Sequence, residues 1–163
     1  MSCTRDILGF YRLTPATTEE EILRAAEEIL ARRLNTTGEL LTDPAAAGTL
    51  LRARLGHLDH EVFCVVFLDT RHRVIAIEDM FRGTIDGCEV HPREIVKQAL
   101  SHNSAAIIIA HNHPSGSPEP SAADKAVTKR IREAASILDI RLLDHILVAR
   151  SHEPVSFARL GLV

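Results

Sequence analysis

The stretch AAIIIAHNHPSGSPEPSAAD, residues 105–124, decides the fold of this chain, because it joins an apolar strand to a helix through a polar loop. Residues 105–110 are all apolar, which is typical of a short strand buried on both faces. Three prolines restrict the loop that follows. Residues 121–138 then have helical periodicity, with an inner face predicted to comprise Ala123, Val127, Ile131, Ala134 and Leu138. A strand, loop and helix in this order predict a mixed α/β domain.

Strand and helix patterns also alternate on both sides of this stretch. A capping-box pattern at Thr18 and Glu21 begins one helix, which ends within residues 35–38. The pattern further predicts helices from Thr42 or Asp43 to near Gly56 and from Pro92 to Leu100, and strands at 62–68, 74–78, 81–85, 140–149 and 155–157. Residues 1–16 show little pattern. We therefore predict an α/β (α+β) fold with a mixed sheet flanked by helices, in which 1–41 form an N-terminal helical arm and 42–163 the main domain.

The composition excludes several classes of protein. The 163 residues are 45% hydrophobic and 25% charged, which suits a folded domain. The net charge of −3 does not favour extensive binding to nucleic acid. Cys3, Cys64 and Cys88 are widely spaced, so neither a disulfide framework nor a thiolate zinc site is indicated, and Cys64 is expected to be buried. Without a signal peptide or an apolar run of about 18 residues, we expect a soluble, cytoplasmic protein.

His111, His113 and Asp124 form a candidate metal site. Residues i and i+2 of an extended backbone point the same way, so the two imidazoles can converge, and Asp124 lies in the first turn of the following helix. Three such ligands leave one position open, as in catalytic zinc sites, although the set also fits non-haem iron. Taken alone, Ser121-x-x-Asp124 is more typical of an ordinary helix cap than of a metal site. The combination with two histidines behind a buried strand favours the metal.

A metal-activated water also needs a proton acceptor that is not a ligand. Glu61 precedes the most apolar strand, which is an unusual place for an acid, but a solvated strand end explains it equally well. The residues themselves leave the choice open among Glu61, Glu78, Glu89, Glu94, Glu119 and Glu153.

Other polar groups have two interpretations each. Asp144 and His145 lie in an apolar strand, where they either orient a metal ligand or form a buried pair within the core. A basic stripe of Lys125, Lys129 and Arg132 is either a solvated helix face or a surface for an acidic peptide or nucleic acid. The letters HNH at 111–113 do not indicate an HNH nuclease, because that motif disperses its residues over a ββα-metal unit.

The spacing of His111, His113, Ser121 and Asp124 resembles the motif of the JAMM (JAB or MPN) zinc metalloprotease family. The match is closer still to its bacterial RadC-type branch and covers about 43–163, through EVF at 61–63, FRGT at 81–84, PRE at 92–94, AHNHPSG at 110–116, PSAAD at 120–124, LDH at 143–145 and VSF at 155–157. The resemblance implies a JAMM/MPN-like (cytidine-deaminase-like) sheet.

The resemblance also implies a role for each site residue. His111, His113 and Asp124 would bind Zn²⁺, Glu61 would be the general base, and Ser121 would hydrogen-bond the water or the oxyanion. The implied reaction is hydrolysis of a peptide or isopeptide bond in an unidentified peptide or protein.

The N-terminal region differs from the RadC-type pattern. Such proteins commonly carry a helix-hairpin-helix region associated with DNA, whereas this chain resembles a short form without it. An alternative function is a DNA-repair-associated or DNA-linked binding module with a non-catalytic metal. The apolar N-terminal helix needs a covering surface, either its own domain or a second copy in a homodimer.

Overall fold

Helices and strands alternate through the part of the chain that the computed structural model describes, namely residues 3–5, 11–13, 17–37, 44–84 and 87–163. In chain order the elements are β1 (Cys3–Arg5), β2 (Tyr11–Leu13), α1 (Glu19–Thr37), α2 (Pro44–Leu55), β3 (Val62–Leu68), β4 (Val74–Arg82), α3 (Pro92–Ser101), β5 (Ala106–His113), α4 (Ala122–Ser136), β6 (Arg141–Ala149) and β7 (Val155–Ser156). None of the helices described is long and apolar enough to cross a membrane.

The main sheet has five strands in the order β4-β3-β5-β6-β7. Only β5 and β6 are parallel, and α4 connects them, because two parallel strands need a crossover rather than a tight turn. The remaining neighbours within this sheet are antiparallel. The predicted mixed sheet flanked by helices is therefore confirmed.

Alternation along β5 determines which face of the sheet carries the candidate ligands. Ala106, Ile108 and Ala110 pack with α2 on one face of the sheet. Ile107 and Ile109 pack on the opposite face with residues of α3 and α4. Because side chains alternate along a strand, His111 and His113 continue the second face, where α4 lies, and Asn112 continues the first.

The N-terminal region contains a pairing that the sequence did not reveal. β1 and β2 form a two-stranded antiparallel sheet within the residues that show little pattern. The predicted capping box of α1 is present, since the Thr18 N–H donates to Glu21 Oε2 at 3.1 Å and the Glu21 N–H to Thr18 Oγ1 at 3.3 Å. α1 packs against α2 and β4. Residues 38–43 lie outside the described part of the chain.

One predicted strand was wrong, and another, although present, ends later than predicted. The segment 81–85 is not a third strand, because Phe81 and Arg82 complete β4, and Ile85 lies outside the described residues. A register shift between Phe63 and Cys64 interrupts the alternation of β4 and makes one strand look like two. β5 also continues to His113 rather than ending at Ala110, because its pairing with β6 extends that far.

The inner face of α4 was predicted only in part: Ile131 is buried and Val127 packs against the same core, as predicted, but Ala123 and Leu138 do not belong to it. Its buried residues are Asp124, Thr128, Ile131 and Ala135, whereas Ala123 is exposed and Leu138 lies beyond the helix with 43% of its surface exposed. The prediction followed hydrophobicity alone. Two polar residues of α4 instead face the sheet, at the end where the histidines lie.

Candidate metal centre

Two adjoining elements bring His111, His113 and Asp124 together. The histidines lie at the C-terminal end of β5, and Asp124 enters from the first turn of α4. One ligand atom from each residue lies within 4.8 Å of the others, so the group could hold a metal ion. His111 is buried and His113 is partly exposed, so the group opens to solvent on one side.

The three candidate ligands approach one another closely. The Nε2 atoms of His111 and His113 are 3.1 Å apart. Asp124 Oδ1 lies 3.2 Å from His111 Nε2, and its Oδ2 lies 3.4 Å from His113 Nε2. Zinc–ligand bonds of about 2.0–2.1 Å in a tetrahedron separate neighbouring ligand atoms by about 3.3 Å. Each pair of side chains therefore approaches to about the separation that two zinc ligands need, although the two histidines contact different oxygens of Asp124.

Asp124 is both a cap and a candidate ligand. Its Oδ2 accepts the Ser121 N–H at 2.7 Å, and the Asp124 N–H donates to Ser121 Oγ at 3.1 Å, which completes a capping box. The same carboxylate faces both imidazoles. The two interpretations of Ser121-x-x-Asp124 are therefore compatible, because the cap fixes the carboxylate that the histidines approach.

The pKa values of this group follow from its close contacts. Burial alone would raise the pKa of Asp124, but hydrogen bonds with His111 and His113 outweigh it and hold that pKa far below its usual range. The hydrogen bond to Asp124 raises the pKa of His113, against the effect of burial. The contact between Asp124 and His113 thus favours the charged form of each group over its neutral form.

His145 contacts the candidate ligand His111 from behind. Its Nε2 lies 2.7 Å from His111 Nδ1, and its Nδ1 lies 2.6 Å from Thr128 Oγ1. Thr128 Oγ1 donates to the Asp124 carbonyl at 2.5 Å. With that hydroxyl proton used, His145 Nδ1 donates to Thr128 and its Nε2 accepts from His111 Nδ1. The contact with His145 thus occupies Nδ1, and Nε2 is the ring nitrogen through which His111 would bind a metal, in the form that carries no proton there.

Burial supports this arrangement, because it lowers the pKa of His145 well below its ordinary value and keeps the ring neutral. Asp144 faces elsewhere, accepting the Ser156 hydroxyl at 2.5 Å and the Ala158 N–H at 2.9 Å. His145 therefore fits the first interpretation, a residue that orients a metal ligand, and Asp144 fits the second, a buried polar residue of the core. His145 contacts the site, and Asp144 organises the turn at β7.

Glu61 lies just before β3 and borders the same groove as the three candidate ligands. Partial burial raises its pKa, while the nearby His111 and His113 oppose the shift. Glu89 and Glu119 also line the groove. The other candidate bases have partners elsewhere, Glu78 with His102, Glu94 with Arg93 and Glu153 with Arg52.

The groove has a volume of about 740 Å³ and also includes Phe63, Cys88, Ser121, Val127 and Arg130. Burial raises the pKa of Cys88 to about 11, so its thiol stays protonated near neutral pH. Cys64 is fully buried, as predicted.

Two buried polar residues near the site were missed, Thr128 and Asn112. Thr128 lies four residues after Asp124, a helical spacing that already placed it on the ligand side.

The chain has clear relatives. The model of the family described as "RadC-like JAB domain" matches residues 41–162. A UPF0758 protein of Nitrosococcus oceani is 54% identical over 144 residues, which cover 86% of this chain and 64% of that protein. A UPF0758 protein of Xanthomonas axonopodis pv. citri is 53% identical over 140 residues, covering 84% of this chain and 62% of the relative. The chain thus spans less than two thirds of the length of these curated relatives.

Proposed function

The chain belongs to the RadC-like JAB domain family, and on that premise we propose that it is a metal-dependent hydrolase, with zinc as the metal and a peptide or isopeptide bond as its target. The observation that supports the proposal is the convergence of His111, His113 and Asp124 beside an open groove. A closed structural site would need a fourth protein ligand. Within the described residues, no fourth histidine, cysteine or carboxylate joins the group.

Zinc held by these residues would supply Lewis acidity, lowering the pKa of a water in its open position from 15.7 to about 7. The chain's own residues would do the rest. Glu61 would accept a proton from the attacking water and pass it to the nitrogen of the leaving amine. The products are a carboxylate and a protonated amine, so both protons of the attacking water end on the leaving nitrogen, the first carried there by Glu61 and the second released when the new carboxylic acid ionises.

We propose that Ser121 assists at the oxyanion. Its Oγ accepts the Asp124 N–H in the helix cap, so its hydroxyl proton remains available for donation. We expect that proton to be donated to the carbonyl oxygen as negative charge develops there. Removal of one such donor typically costs about 10²- to 10³-fold in rate.

The proposal is tested by comparing peptide hydrolysis by the wild type and by the variant Glu61→Gln. The zinc-loaded protein should cleave members of a defined pool of peptides and isopeptide-linked peptides, with products identified by mass spectrometry. Glu61→Gln should keep its zinc and lose about 10²- to 10⁴-fold in rate, the usual contribution of general acid–base catalysis. Glu153→Gln, the same change at an exposed site outside the groove, should behave as the wild type. A zinc-loaded wild type that cleaves nothing, or an active Glu61→Gln, would contradict the proposal.

A further inference from the structure

Asn112 lies between the two candidate histidine ligands but faces the opposite side of the sheet. It is buried, with only 2% of its surface exposed. Its Oδ1 accepts the Val62 N–H at 2.8 Å, and its Nδ2 donates to the His60 carbonyl at 2.9 Å. One amide side chain therefore holds the residues on both sides of Glu61.

These contacts begin where the backbone ladder stops. The pairing between β3 and β5 ends at Phe63 opposite His111. One step further, the same register would place Val62 opposite Asn112. There the Asn112 amide supplies a donor and an acceptor to β3, as a neighbouring strand would. The local position of β3 thus depends on a side chain from the strand that carries the histidines.

The other edge of this segment is also fixed. The Glu61 N–H donates to the Thr84 carbonyl at 2.9 Å, and the Glu61 carbonyl accepts the Gly83 N–H at 2.8 Å. With its own peptide groups held by residues 83–84 and its neighbours held by Asn112, Glu61 has only its side chain left to move. That side chain borders the groove.

From these contacts we propose that Asn112 is a positioning residue, which fixes the distance between Glu61 and the metal ligands on the same strand. The inference rests on the proposed function, because it concerns the base of that reaction. Because side chains alternate along β5, the two histidines face one side of the sheet and Asn112 faces the other. A misplacement of about 1 Å at a reacting group can cost about a hundredfold in rate.

Asn112→Ala should uncouple catalysis from metal binding. We expect zinc affinity within about threefold of the wild type, because both histidines remain on β5, and a fall of about 10- to 100-fold in kcat with little change in KM. Asn112→Asp keeps the acceptor for Val62 but loses the donor to His60, so its kcat should be intermediate. Ser156→Ala removes a buried hydrogen bond to Asp144 away from Glu61 and controls for general destabilisation.

Two measurements do not require turnover. Hydrogen exchange should show faster exchange of the Val62 amide in Asn112→Ala than in Ser156→Ala, since the exchanging N–H loses its acceptor. The second measurement uses protein in which cobalt(II) replaces zinc, and follows the visible absorption of the cobalt as the pH is changed. Glu61→Gln should shift the midpoint pH of this absorption change, and Asn112→Ala should shift it in the same direction.

The outcomes separate the two proposals. If the wild type binds cobalt but cleaves no peptide, the proposed hydrolase is rejected. If Glu61→Gln and Asn112→Ala nevertheless both move the midpoint of the absorption change, Asn112 still positions Glu61. If Asn112→Ala changes neither kcat nor the midpoint of the absorption change, Asn112 is not a positioning residue. Loss of zinc together with kcat also overturns this role, because Asn112 would then support the ligands rather than Glu61.

Discussion

At the residue scale, the candidate centre depends on side chains that each make two kinds of contact. Asp124 closes the helix cap and faces both imidazoles. His145 contacts His111 on one ring nitrogen and Thr128 on the other. Because each group is held from two directions, its side chain has little freedom to move away from the other ligands. Such preorganisation reduces the conformational entropy that binding has to remove.

Zinc affinity should depend on pH through His113. Its pKa is raised by Asp124, and zinc binds only the unprotonated imidazole. Affinity should therefore fall as the pH drops through this raised pKa, which lies above the ordinary value of 6.5. Competition with a chromophoric chelator between about pH 6 and pH 8 measures this. An affinity that does not change over that range would contradict the assignment of His113 as a ligand.

His113 gives the stability of the metal-free fold the opposite pH dependence, whereas Asp124 does not change it near neutral pH. A raised pKa means that protonated His113 stabilises the fold below its unfolded pKa, and the contribution is lost as the pH rises through the folded value. The lowered pKa of Asp124 contributes stability above its unfolded value, which is lost only in strong acid. Metal-free protein should therefore lose stability from neutral pH upward, where zinc binding becomes stronger.

Replacing His145 should weaken zinc binding although it is not a ligand. Removing a partner that orients a ligand typically costs about 10- to 100-fold in metal affinity. We expect a loss in that range for His145→Ala and a smaller one for Thr128→Val, whereas Thr128→Ser keeps the hydroxyl and the affinity. His152→Ala, at an exposed histidine, is the matched control. Chelator competition measures all four, and wild-type affinity in His145→Ala would show that His111 is oriented without it.

At the element scale, local patterns identified most strands and helices, whereas non-local contacts determined the errors. The i, i+2 spacing of the histidines and the cap at Ser121 are local, so the candidate ligands were accessible to sequence reasoning. The proximity of Glu61 depends on the register that places Phe63 opposite His111, across about 50 residues of chain. Nothing in the residues around Glu61 specifies that register, so only the family resemblance selected Glu61 among the candidate bases.

The position of α4 depends on its buried face, which Ile131 anchors. Ile131 is fully buried against the sheet, whereas Ile137 at the end of the helix is 81% exposed. Ile131→Ala should lower the free energy of unfolding by about 2–5 kcal/mol, because it leaves a cavity. Ile137→Ala should stay within about 0.5 kcal/mol of the wild type. Urea denaturation compares them, and equal losses would mean that α4 does not pack as described.

At the scale of the whole molecule, zinc should stabilise the fold. A ligand that binds only the native state at about 100 times its Kd adds about 2.7 kcal/mol. For a protein of this size, about 2–4 °C per kcal/mol gives a rise in Tm of about 5–11 °C. His113→Ala should abolish most of the rise. An equal rise in wild type and His113→Ala would place the bound zinc elsewhere.

Charge distribution bears on the DNA-linked alternative. Lys125, Lys129 and Arg132 are all exposed, but Lys129 already lies 3.9 Å from Glu133, and the chain carries a net charge of −3. We expect no mobility shift of duplex DNA at physiological salt. A shift that Lys125→Glu/Lys129→Glu weakens would instead support the DNA-linked module.

The central claim, a zinc site served by Glu61, is tested most directly by a crystal structure of the zinc-loaded protein. We predict one zinc ion bound by His111, His113 and Asp124, with a water in the fourth position and the Glu61 carboxylate about 2.6–3.2 Å from that water. Zinc bound by other residues, or a Glu61 side chain turned away from the fourth position, would contradict the claim.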